Sequence, residues 1–349
     1  MQSKIYDYYV VSYNSNGKCN LLGSNIEKLD KLIILECCSR LITTMVFKKI
    51  TNELINLEHD IEIIHNPLDK NIIDGIIDLN SNIGILNKKV LDIEYPNLTT
   101  INMNCCYVAD TEPINKIKND IEKQFDKAYE YFKEAKAIHD DWEVVYIKNI
   151  DFTKADEITQ STIETLLGDM KFDKVARARE RFFGAISAEG ATNFVEDIID
   201  SKKTRYFIKG RPGTSKSTML KKLAKASQEK GIDVDLYYCA SDINSVDMLV
   251  FPELDMCIFD STAPHEFFPS RSDDIVIDMY ASLLPENFDE DNDELLEKIQ
   301  SNYKLSVSKG VSVLKDIVKS LDDLESEYIS TVDFDLLAKT YDSILELVK

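Results

Sequence analysis

The apolar positions of this chain fall into two kinds of run. Short unbroken blocks, such as KLIILE from Lys31, RYFIK from Arg205, VDLYYCA from Val234 and MCIFD from Met256, are strand-like. A strand covered on both faces has no polar side to show. Long stretches instead carry apolar residues at helical spacing, as at Tyr129, Phe132, Ala135 and Ile138, and predict helices over 113–147, 154–167, 291–330 and 335–348. A shorter helix is expected over 216–230. VVSYNSNGKCNLL and RFFGAISAEGATNFV read as hairpins turning at Asn16-Gly17 and near Gly190. Strands alternating with helices predict an α/β fold with a parallel sheet and helices on its faces.

The pattern occurs twice. KLIILECCSRLITTMVFKK aligns with RYFIKGRPGTSKSTMLKKL, matching Ile34 with Ile208, Thr44 with Thr218 and Lys48 with Lys222. DIEIIHNPLDKNIIDGII aligns with DVDLYYCASDINSVDMLV, matching Asp69, Asn71 and Asp74 with Asp242, Asn244 and Asp247 after a slip of one residue. HDDWEVVYIKNIDF aligns with LDDLESEYISTVDF, matching Asp140 with Asp322, Glu143 with Glu325 and Tyr146 with Tyr328. The order is kept throughout, so the chain reads as two duplicated parallel-sheet domains, 1–172 and 173–349, each ending in long helical segments.

The second copy carries a candidate site. RYFIK runs into Gly210, Arg211, Pro212, Gly213, Thr214, Ser215, Lys216, Ser217 and Thr218. A strand, a glycine-rich turn and Lys-Ser opening a helix form the context of a phosphate-binding P-loop. Glycine lets backbone N–H groups converge on phosphate oxygens, and the helix N-terminus adds unpaired amides. Lys216 is then placed for the β- and γ-phosphates and the Ser217 hydroxyl for Mg²⁺. Ser215 stands where the pattern asks for glycine, and a positive φ there costs about 1 kcal/mol or more. The first copy reads Glu36, Cys37, Cys38, Ser39, Arg40, Leu41, Ile42, Thr43. Its glycines are gone, Ile42 stands at the lysine and Thr43 opposite Ser217, so this loop is degenerate.

MCIFD closes on Asp260, an acid at a strand end suited to hold Mg²⁺, and the first copy has Asn87 in that place. No Glu follows Asp260 directly. His265 and Glu266 are the nearest groups able to handle a proton, and Arg271 the nearest to stabilise a transferring phosphoryl. Each reads equally well as a loop residue without a catalytic part. Asp242, Asn244 and Asp247 have counterparts in the degenerate copy, which favours local turn structure. His139 and Glu143 share a helix face at metal-ligand spacing, but without a third ligand they read as helix packing and surface pairing, and Trp142 as core.

Composition bounds the partners. In 349 residues, 44% are hydrophobic and 30% charged, as in ordinary globular chains, and the net charge of −21 disfavours nucleic acid. The absence of a signal core or a long apolar run points to a cytoplasmic protein without a membrane span. The seven cysteines sit mostly in apolar runs and read as reduced core residues.

RYFIKGRPGTSKSTMLKKLA, CIFDSTAPHEFFPSR and AKAIHDDWE together resemble a poorly characterised bacterial family of tandem P-loop proteins, ATPase or nucleotide kinase-like, over nearly the whole chain. The resemblance implies ATP at Gly210, Gly213, Lys216 and Ser217, with Asp260 at the metal. The expectation is an Mg²⁺-dependent ATPase working through the second copy, with an unidentified protein partner left open. A kinase for a nucleotide or other small molecule, and a non-enzymatic ATP-responsive scaffold, are the alternatives.

Overall fold

In a computed structural model, residues 3–96, 98–103, 105, 111–262 and 266–348 are described. The first copy runs β1 (Ile5–Tyr8), β2 (Val11–Asn14), β3 (Gly17–Asn20), α1 (Gly23–Ile26), β4 (Lys31–Glu36), α2 (Arg40–Asn56), β5 (Ile61–His65), β6 (Ile73–Asp78), β7 (Ile83–Asn87), β8 (Leu98–Asn102), α3 (Glu112–Ile147) and α4 (Phe152–Leu167). The second repeats the order with β9 (Ala178–Phe182), β10 (Gly184–Ser187), β11 (Gly190–Asn193), α5 (Val195–Asp200), β12 (Thr204–Lys209), α6 (Lys216–Glu229), β13 (Val234–Tyr238), β14 (Val246–Phe251), β15 (Met256–Asp260) and β16 (Ile275–Asp278). Short α7 (Met279–Leu283) and α8 (Phe288–Asp291) then lead into α9 (Asp293–Ser330) and α10 (Phe334–Val348).

Each copy builds one six-stranded sheet, in the orders β1-β5-β6-β7-β4-β8 and β9-β13-β14-β15-β12-β16. The sheets are mixed, which corrects the expected all-parallel arrangement: β6 and β14 run antiparallel to both neighbours. The cause is local. A parallel partner needs a crossover of about a dozen residues, and the short turn 239–245, closed by the Cys239 N–H on the Ser245 carbonyl, returns the chain at once. The predicted hairpins form as β2–β3 and β10–β11.

The central strands are buried on both faces. On β4, Leu32 and Ile34 point into a core between the two sheets, while Ile33 and Leu35 point to the outer face. On β15, Cys257 and Phe259 face inward and Met256 and Ile258 outward. The helices covering the outer faces are exchanged. Leu337, Ile344 and Val348 of α10 pack with α2 on the first sheet, whereas Ala155, Leu166 and Leu167 of α4 pack with α6 on the second. Each copy thus closes the other's core. The long helices α3 and α9 lie together, so closely that a Cβ on Gly310 would come within 2.4 Å of the Phe132 ring.

The sheets meet at their β1 and β9 edges. Tyr9 and Phe182, equivalent residues of the two copies, exchange two backbone hydrogen bonds of 2.9 and 2.8 Å, the self-complementary pairing of a two-fold contact. Beside them Arg179 and Arg181 of β9 reach Glu62 of β5 at 2.8 and 2.7 Å, and Arg179 also binds Asp235 of β13 at 2.6 Å. Burial alone would raise the Glu62 carboxyl, but the two guanidinium groups outweigh it and hold the pKa below the usual value. This stabilisation is present above the ordinary glutamate pKa and lost as pH falls through the lowered one. Glu62→Gln leaves two buried guanidinium groups sharing one acid. We expect a loss of about 3 kcal/mol at neutral pH, read from urea midpoints, with the gap narrowing in acid.

Candidate functional site

The glycine-rich loop lies between β12 and α6, at the C-terminal edge of the second sheet. Its backbone takes the turn the spacing anticipates: Gly213 has φ +77° and Ser215 φ +63°. Ser215 therefore occupies the left-handed region at the position where the motif asks for glycine, with the strain that implies. A Cβ on Gly210 would meet the Thr214 hydroxyl at 2.4 Å. That buried hydroxyl pins the loop, accepting the Arg211 N–H at 3.1 Å and donating to the Arg211 carbonyl at 2.8 Å. Arg211 itself turns outward to Asp289, at 2.7 Å, which also accepts from the Tyr146 hydroxyl. The loop is thereby tied to the end of α3.

α6 starts at Lys216 with no side chain capping its N-terminus, so its first amides are left for another partner. The Lys216 ammonium donates to the Arg211 carbonyl at 2.7 Å and stands 3.4 Å from Asp260. Asp260 accepts from the backbone and hydroxyl of Thr262. The Ser217 hydroxyl accepts the Val246 N–H at 2.9 Å. Pro212, Gly213, Thr214, Ser215, Lys216, Ser217, Thr218 and Asp260 all border one cleft of about 600 Å³, a volume typical of small-ligand sites.

Two of the expected catalytic residues stand away from this cleft, and a third is not among the described residues. Arg271 does not line this cleft; its guanidinium is held by the carbonyls of Lys202 and Asp200, at the opposite end of β12. Glu266 is exposed and also lies outside the cleft lining, and His265 falls outside the described residues. The cleft is instead lined by residues with structural readings from sequence, His139, Trp142 and Glu143 from α3 and Asp247 from β14, together with Tyr303 from α9. The spacing of His139 and Glu143 predicts surface pairing, and the structure instead turns this helix face into the cleft. The exchange of helices carries the end of α3 across to the second copy, where the Glu143 carbonyl would lie 2.9 Å from a Cβ on Gly213. His139, Asp140 and Glu143 bring ligand atoms within 4.8 Å of one another, but Lys136 already neutralises Asp140. Asp242 and Asn244 do form the expected local turn, repeated at Asp69 and Asn71.

The degenerate loop shows what the open one lacks. The Thr44 hydroxyl accepts the Ile73 N–H at 3.1 Å, just as Ser217 accepts that of Val246. Thr44, not Thr43, is therefore the counterpart of Ser217, and Thr43, not Ile42, that of Lys216; the copies need no slip here. α2 begins a turn earlier, at Arg40, and consumes the cradle. Glu325, the counterpart of Glu143, then covers its N-terminus: its carboxylate accepts from the Ser39 hydroxyl at 2.5 Å and the Arg40 N–H at 2.8 Å. A buried internal carboxylate thus closes this helix end.

Asp247 has a second consequence. Burial, with the Asp260 carboxylate beside it, pushes its carboxyl up to about 7. Between the ordinary aspartate value and pH 7 the folded chain keeps a proton that the unfolded chain has released, so this group costs stability as pH rises through that window. In the ligand-free chain Asp247→Asn is expected to raise the melting temperature by about 2 °C or more at pH 8, with the gain shrinking toward pH 4.

No described protein family, no curated protein and no solved structure matches the chain.

Proposed function

We propose that the cleft binds a nucleoside triphosphate, ATP in the first instance, with its phosphates on the amides of 213–218 and Lys216 neutralising the β- and γ-phosphates. The carrying observation is the pair of helix N-termini. The α2 end is closed by a carboxylate, whereas the equivalent α6 end is uncapped beside a lysine and opens on a cleft. Unpaired amides and the helix dipole favour an anion there. Ser217 and Asp260 are the residues to hold Mg²⁺, which supplies charge neutralisation on the phosphates. Asp247 lines the same cleft beside Asp260 and is the carboxyl placed to take the proton of an attacking water. Water then adds to the γ-phosphorus, the β–γ bridging bond breaks, and ADP and phosphate leave.

Arg271 and Glu266 outside the cleft favour a second reading, a nucleotide-responsive scaffold with little turnover. One assay separates the readings. The hydrolytic account expects ADP from the purified chain with Mg²⁺ and no added acceptor; a kinase consumes ATP only with its acceptor, and a scaffold binds without turnover. Lys216→Ala is expected to weaken ATP binding roughly 100-fold, measured by calorimetry. Asp247→Asn should retain binding and lose turnover. Wild-type affinity in Lys216→Ala would remove the loop from the account.

A further inference from the structure

One wall of the cleft is not accounted for by phosphate chemistry. Trp142 and His139 of α3 and Tyr303 of α9 line it, half-buried, with ring centroids 6.1 Å (His139–Trp142), 5.8 Å (His139–Tyr303) and 6.3 Å (Trp142–Tyr303) apart. Gly213 packs on the Glu143 and Ile147 turn of α3. Trp142 directly precedes Glu143 on this helix, and His139 lies about one helical turn further back. The rings therefore begin beside the loop, where a ligand held by its phosphates would extend.

Aromatic residues on paired helices are often mere packing, and the first copy tests that reading. In the register that aligns Glu143 with Glu325, the positions of His139, Trp142 and Tyr303 are filled by Leu321, Leu324 and Ile121. Leu324 and Ile121 are buried in a solid apolar cluster, with Leu321 packed against it. At these three positions the helix pair closes on aliphatic side chains, with Phe125, Tyr129 and Phe132 of α3 packed elsewhere in the same cluster. The His139, Trp142 and Tyr303 rings stand beside the intact loop, and the copy without the glycines and the lysine has aliphatic residues at those three positions.

We propose that Trp142 and Tyr303 form the stacking surface for the nucleobase of the ligand. The proposal rests on the nucleotide reading above and specifies its other end: a triphosphate carrying a flat base, its phosphates on the loop of one copy and its base against α3 of the other. Stacking on a ring face tolerates any base. A purine covers more of the surface than a pyrimidine and binds more tightly for that reason.

Trp142 is the only tryptophan in the chain, so its emission reports this surface directly. MgATP and Mg-tripolyphosphate, which has no base, are titrated against the full chain by fluorescence and calorimetry. MgATP is expected to change the Trp142 emission, and tripolyphosphate to bind without doing so. Trp142→Leu and Tyr303→Ile copy the packing of the first copy. Each is expected to weaken MgATP about tenfold while leaving tripolyphosphate affinity unchanged. Unchanged MgATP affinity in both variants, or equal losses for both ligands, overturns the stacking site while leaving the loop assignment standing. If the wild-type chain binds neither ligand, the nucleotide reading itself fails and takes this proposal with it.

Discussion

The amides at the start of a helix need an acceptor, and here the same need is met in two ways. At α2 the chain supplies its own anion: the Glu325 carboxylate takes the Ser39 hydroxyl and the Arg40 N–H. At α6 no side chain among the described residues caps the helix, and Lys216 stands there 3.4 Å from Asp260. A helix end of this kind attracts negative charge by its unpaired N–H groups and its dipole. In the proposed function, the difference between the copies reduces to where that charge comes from, the chain itself or a ligand.

The exchange of helices makes this difference a property of the whole molecule. Glu325 sits on a second-copy helix and plugs the first-copy loop; Glu143 sits on a first-copy helix and lies against the second-copy loop. α4 and α10 close each other's cores in the same reciprocal way. The Glu62, Arg179, Arg181 and Asp235 cluster fixes the two sheets edge to edge. A loop in one copy is therefore read by a helix of the other. The Tyr146–Asp289–Arg211 contacts tie the loop to the end of that helix.

Much of this plan was legible in the residues. Periodicity gave the long helices, the Gly and Asn turns gave both hairpins, and RYFIK followed by GRPGTSKST placed the loop between a strand and a helix, with Ser215 at the demanding φ. The all-parallel sheet failed because β6 and β14 are as apolar as their neighbours, and direction is set by the length of the connecting turn. Register in the first loop slipped by one because chance identities in α2 and α6 outweighed the hydrogen bonds that tie Thr44 to Ile73 and Ser217 to Val246. The α3 contribution to the cleft was hidden for a different reason. Nothing in the spacing of His139, Trp142 and Glu143 says which sheet their helix will meet. Arg271 was drawn in by closeness along the chain to Asp260, but the segment between them carries it to the far end of β12.

The most direct test is a structure of the full chain with Mg²⁺ and a non-hydrolysable ATP analogue. The account predicts phosphates hydrogen-bonded to the amides of 213–218, with Lys216 swung from the Arg211 carbonyl onto them and Glu325 still covering α2. An analogue bound elsewhere, or displacing Glu325 from the first copy while the α6 end stays empty, would contradict it.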